Sequence, residues 1–112
     1  MTTSHEYTGL APSAVIWIDA RHAIVARTLD PDRVSMTEIE RGTDAEAQYL
    51  AHVVHEIGDR ERVMVVGPNG VRLALEREYV SISHRPDHLV PTPPGAWNNG
   101  AEIVDRLRRL AA

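Results

Sequence analysis

The chain has 112 residues, 43% hydrophobic and 25% charged, with 7 Gly and 7 Pro, which suits one folded domain and excludes disorder over most of its length. Twelve basic residues against sixteen acidic ones give a net charge of −4, which excludes a general basic surface for a nucleic-acid backbone and leaves at most a local arginine patch. The sequence has no cysteine and no lysine, which removes disulfides, zinc thiolates, thiol catalysis, Schiff-base chemistry and a Walker lysine.

Residues 1–12 are polar and aperiodic and are expected to form a flexible N-terminal tail, leaving 13–112 as a single α/β domain. Ala14–Asp19 is almost wholly apolar and β-branched, as for a strand covered on both faces. Ala20-Arg21 allows only a tight connection, so His22–Thr28 is expected to return antiparallel to it. Asp30-Pro31-Asp32 forms a turn, and Arg33–Glu40 alternates apolar with polar residues, as in a strand with one wet face. After Gly42 the period changes. Thr43 and Glu46 fit a capping box, and Ala47, Leu50, Val54 and Ile57 recur at helical spacing. A helix is therefore predicted over Asp44–Ile57, with Gly58 ending it.

Arg62–Val66 reads as a short buried strand feeding the turn Gly67-Pro68-Asn69-Gly70. Val71, Leu75 and Tyr79 then mark a helix running to about Ser83, and Pro86 bars its continuation. Asp87–Thr92 is expected to be a fifth strand, held to the sheet edge by Pro91. A loop follows over Pro93–Asn99. The last helix, from Gly100 to Leu110, carries Ile103, Leu107 and Leu110 on one stripe and Arg106, Arg108 and Arg109 near its C-terminal end. The order β-β-β-α-β-α-β-α predicts a five-stranded mixed sheet with helices packed on it. The apolar runs are too short to cross a membrane, and the N-terminus lacks a signal pattern, so a cytoplasmic location is expected.

This order is ribonuclease-H-like. The segment Val15-Ile16-Trp17-Ile18-Asp19-Ala20-Arg21-His22-Ala23, followed after a helix by Val63-Met64-Val65-Val66-Gly67-Pro68, resembles a small bacterial group labelled translational machinery proteins. That group is related to archaeal and eukaryotic peptide-chain release factors and Pelota. The similarity is to the release-factor middle domain and spans roughly residues 14 to 110. It implies a ribonuclease-H-like sheet and a non-enzymatic binding role with the ribosome or a protein partner. Release factors that hydrolyse peptidyl-tRNA carry a Gly-Gly-Gln loop. Here the comparable stretch is Gly42-Thr43-Asp44-Ala45-Glu46-Ala47-Gln48, with Gln48 inside the predicted helix. Peptide release by that chemistry is not expected.

Several residue groups carry alternative chemistry. Two-metal nuclease chemistry needs converging carboxylates. Asp19 ends the first strand and Glu46 or Glu56 sits on the first helix, but Asp19 equally suits a turn that accepts backbone bonds. His52 and His55 share a helix side and, with His84 or His88, are the only metal candidates, although their spacing does not match the zinc-protease pattern. Gly67, Asn69, Gly70 and Arg72 form an anion- or nucleotide-binding candidate at a helix start, in a turn that needs such residues for backbone reasons alone. Trp17 is expected in the core. Trp97, in its loop, is an interface candidate together with Arg106 and Arg109. The arginines serve either the helix dipole or ribosomal RNA. No cofactor is expected, and a homodimer is an expected assembly.

Overall fold

The computed structural model describes residues 11–30, 33–92 and 100–112. β1 (Ser13–Ile18), β2 (His22–Asp30) and β3 (Arg33–Glu40) form the expected antiparallel meander. α1 (Glu46–Ile57) then leads to β4 (Arg62–Val66), which lies parallel to β1 and gives the strand order β3-β2-β1-β4. α2 (Asn69–Ser83) follows, and α3 (Gly100–Ala111) closes the chain.

Pairing on both sides explains why β1 reads as a continuous apolar run. Ala14, Ile16 and Ile18 face α1 and α2, in a cluster with Val25, Leu50, Val53, Ile57, Val63, Val65 and Leu75. Val15 faces the other way, with Ala26, Met64, Val66, Ile103 and Leu107. The period of two in the strands sends alternate residues to the two layers. The stripe Ile103, Leu107 and Leu110 holds α3 over β1 and β2. Trp17 belongs to this second layer but is only half-buried, its ring lying 5.1 Å from that of His22.

The sheet has four strands, not five. The predicted strand over Asp87–Thr92 shrinks to one parallel bridge, Leu89 with Val63. Pro86 opens a short 3-10 turn through His88, and Pro91 has no N–H for a ladder. The segment still runs along the expected edge: Val90 N–H donates to the Val63 carbonyl at 2.9 Å and Thr92 Oγ1 to that of Val65 at 2.6 Å.

α1 begins later than its sequence signature suggested. Its N-cap is Ala45, whose N–H donates to Gln48 Oε1 at 3.3 Å, so the expected Thr43–Glu46 box does not form. Ala47 is exposed in the first turn, while Tyr49 is buried. Gly58 ends the helix as expected, its N–H donating to the Val54 carbonyl. The described body also reaches back beyond residue 13. Ala11 N–H donates to the Ala111 carbonyl, and Pro12 O accepts from Glu61 and Arg62. The remainder of the expected tail lies outside the described residues.

Candidate functional site

The end of β1 carries the first candidate acid. Asp19 Oδ1 accepts the backbone N–H groups of Arg21 and His22, each at 2.8 Å, and so closes the β1–β2 connection. Partial burial alone would raise its pKa. The two backbone bonds, with the nearby His22 and Arg21 charges, outweigh that and hold the carboxyl below its ordinary value. Tyr49 Oη donates to the Asp19 carbonyl at 3.1 Å, tying α1 to the same turn. Burial, followed by the charges of Asp19 and Glu40, pushes the Tyr49 hydroxyl well above its ordinary value, so it stays a proton donor.

This arrangement makes Asp19 a turn-closing residue, and its pH dependence follows. The depressed folded-state pKa means that the stabilisation is present above the unfolded value of 3.8 and is lost as pH falls through the lower folded value. Asp19→Asn keeps an acceptor but loses the charge. Its cost is expected to be about 1 kcal/mol at pH 7, the difference between charged and neutral acceptors. Urea titrations at neutral and acid pH check this: the two proteins converge as the pH falls below the carboxylate range.

The second-metal requirement finds no partner set at this turn. Among the described residues no three His, Asp or Glu side chains are grouped to hold a metal ion. Glu46 is exposed in the first turn of α1. Glu56 faces Arg27 at 3.7 Å. His52 and His55 are both exposed on the outer side of α1. His84 adopts the left-handed conformation that ends α2, and His88 Nδ1 lies 3.0 Å from Tyr79 Oη, so neither candidate third ligand is brought to them.

Gly67 makes the strand-to-helix turn, with Asn69 and Gly70 as the first two residues of α2. Arg72 N–H donates to Pro68 O, and the Arg72 guanidinium lies 3.5 Å from the Glu76 carboxylate one turn on. Its charge is therefore shared with an acid of its own helix. At the other helix end, Arg109 pairs with Asp105 at 3.0 Å, and Arg106 is likewise engaged. Trp97 lies outside the described residues.

A groove of ≈470 Å³ runs between the C-terminal ends of α1 and α2. Val54, Tyr79 and Ile82 give it apolar walls, and His55, Asp59 and Ser83 give it polar ones. It contains no paired acid and base in contact. Two arginines missed in the sequence act near this end of the fold: Arg27 Nη1 donates to Glu56 O at the end of α1, and Arg62 Nη1 to Leu110 O at the end of α3. Both satisfy helix-terminal carbonyls across a long sequence separation, which no local motif announces. Tyr49 was detectable, because it lies one turn before Val53 on the buried stripe.

The fold is thus a mixed four-stranded α/β layer with helices on both faces and, among the described residues, no catalytic cluster. No protein-family model matches the chain, and no curated protein does. Among solved structures it is similar to Pelota from Archaeoglobus fulgidus, at 15% identity and a TM-score of 0.61 over 95% of this chain. The chain spans about a third of that protein, 35% of its length, and so has the fold of a Pelota domain. Among the described residues no helix is long and apolar enough to cross a membrane.

Proposed function

We propose that this chain is a non-enzymatic binding module of the translation machinery, a domain of the release-factor and Pelota type working in the cytoplasm. The observation that carries the reading is the backbone likeness to Pelota over 95% of the chain. The strand wording at Val15–Ala23 and Val63–Pro68 points the same way. The sequence offers no Gly-Gly-Gln, and in the comparable stretch Gly42–Gln48 the glutamine is held in the first turn of α1. The role left to the domain is contact, with the ribosome or with a protein bound to it, as a monomer or a homodimer.

Co-sedimentation with purified ribosomes tests this. The full chain is expected in the ribosomal pellet at low salt and, in reduced amount, at about 0.15 M salt, where charge contacts are screened beyond roughly 8 Å. A chain that stays in the supernatant at both salts, with and without cell extract, defeats the proposal. A peptidyl-tRNA hydrolysis assay is expected to show no release.

A further inference from the structure

The two edges of the sheet are finished differently. Outside β4 lies the segment Leu89–Thr92, which bonds to Val63 and Val65 and then meets Pro93. Outside β3 no strand is paired among the described residues. β3 is 8 residues long and free of proline and lysine, and its register shift falls at the Thr28/Asp30 end of the hairpin. Short length, proline, bulges and charged side chains, lysine above all, are the usual devices that keep an edge from pairing, and of these the stretch from Val34 to Glu40 has only the charges of Glu38 and Glu40.

The pairing fixes which groups are left over. Arg41 N–H donates to the Arg21 carbonyl, so along the antiparallel ladder Ile39, Thr37 and Ser35 turn their backbone groups toward β2. Val34, Met36, Glu38 and Glu40 turn theirs outward. The same four residues share the sheet face that carries α3, being opposite Thr28, Ala26, Ile24 and His22. Met36 is 44% exposed, and Glu38 and Glu40 are exposed with no ion pair among the described residues. The arginines at the two ends of β3 are turned to other partners. Arg33 pairs with Asp30 at 2.6 Å, and Arg41 turns its guanidinium to the Asp44 and Ala20 carbonyls.

We propose that the outer edge of β3 receives an extended segment of a partner protein as an added strand, with apolar side chains beside Val34 and Met36 and arginine or lysine beside Glu38 and Glu40. Main-chain bonds give such a contact its affinity, and the alternate side chains give it specificity. The two uncompensated carboxylates select a basic segment and repel a phosphate backbone. The inference rests on the sheet edge alone and stands independently of ribosome association.

The test uses the full chain and a fluorescent peptide, Arg-Thr-Arg-Thr-Val-Thr-Val, whose alternate residues match that face in antiparallel order. Saturable anisotropy is expected, with new hydrogen-exchange protection at Val34, Met36, Glu38 and Glu40. Replacing both peptide arginines by glutamate, or making the variant Glu38→Lys with Glu40→Lys, is expected to weaken binding about tenfold or more. Methylating the peptide's backbone nitrogens on the pairing side is expected to abolish it. Both substitutions lie on exposed side chains, and circular dichroism confirms that the variant is folded. Absence of saturation, equal binding of the glutamate peptide, or an unaffected charge-reversed variant overturns the proposal. So does displacement of the peptide by a uridine oligonucleotide, or a stable dimer already protecting β3, since a second copy then fills the edge.

Discussion

Gly67→Ala is expected to destabilise the protein by about 3 kcal/mol or more. β4 ends at Val66, and the chain turns at once into α2. Gly67 makes that turn at φ +129°, a conformation that side-chain-bearing residues rarely adopt. A Cβ there would lie 2.1 Å from the Ile18 carbonyl oxygen and 3.2 Å from its carbon. The obstacle is backbone, and it belongs to β1, which is held by β2 on one side and β4 on the other. Relief requires shifting a central strand or lifting β4 away from it. Urea unfolding measures the loss. The control is Gly70→Ala, three residues on, where a Cβ meets nothing within 4 Å. That variant is expected to be unchanged or slightly more stable, because alanine suits a helix better than glycine. Similar midpoints for the two variants would remove the close approach as the reason for Gly67.

The same turn shows what the sequence conveyed and what it did not. Gly-Pro-Asn-Gly after an apolar run announces a strand that ends and a helix that begins, because glycine opens positive φ and proline fixes φ, both as local effects. It does not announce that Gly67 touches Ile18, a contact made only when two strands distant in sequence become neighbours. The meander was legible from its apolar, β-branched strands and the tight turns between them, α2 from Val71, Leu75 and Tyr79 after the Gly-Pro-Asn-Gly turn, and α3 from its strong helical stripe. α1 was legible in its body but not at its start, where Thr43 and Glu46 offered a plausible cap and Ala45 with Gln48 took the place. The fifth strand failed through competition: Leu89 and Val90 favour pairing, while Pro86 and Pro91 limit it to one bridge. For the candidate sites, residue types at the right spacing were a poor guide. Asp19 has the position of a catalytic acid, yet its oxygen is used by the turn it closes. The open edge of β3 is not legible in the sequence, because it is defined by the pairing that is missing beside it, and a single strand's sequence does not record its place in the order.

Leu107→Ala is expected to cost about 3 kcal/mol, within the range for buried leucines that leave a cavity. Leu107 is fully buried between α3 and the sheet, among Val15, Ala26, Met64, Val66 and Ile103. On this face α3 is the only helix among the described residues, whereas α1 and α2 share the other face and also pack on each other. The loss therefore falls on one element. Its remaining attachments include Ile103, Leu110, the Ala11 N–H bond to the Ala111 carbonyl, and the Arg62 bonds to the Leu110 and Ala112 carbonyls, at 2.6 and 3.1 Å. Hydrogen exchange is expected to show the consequence before global unfolding does: the amides of α3 lose protection while those of β1 and β4 keep most of theirs. The thermal midpoint is expected to fall on the order of 15 °C for a domain of this size. Arg108→Ala, on the exposed side of the same helix, is the matched control and is expected to stay within about 0.5 kcal/mol of the parent. If protection falls equally in α3 and in the central strands of Leu107→Ala, the helix and sheet unfold as one unit, and α3 is not the separable layer that its packing indicates.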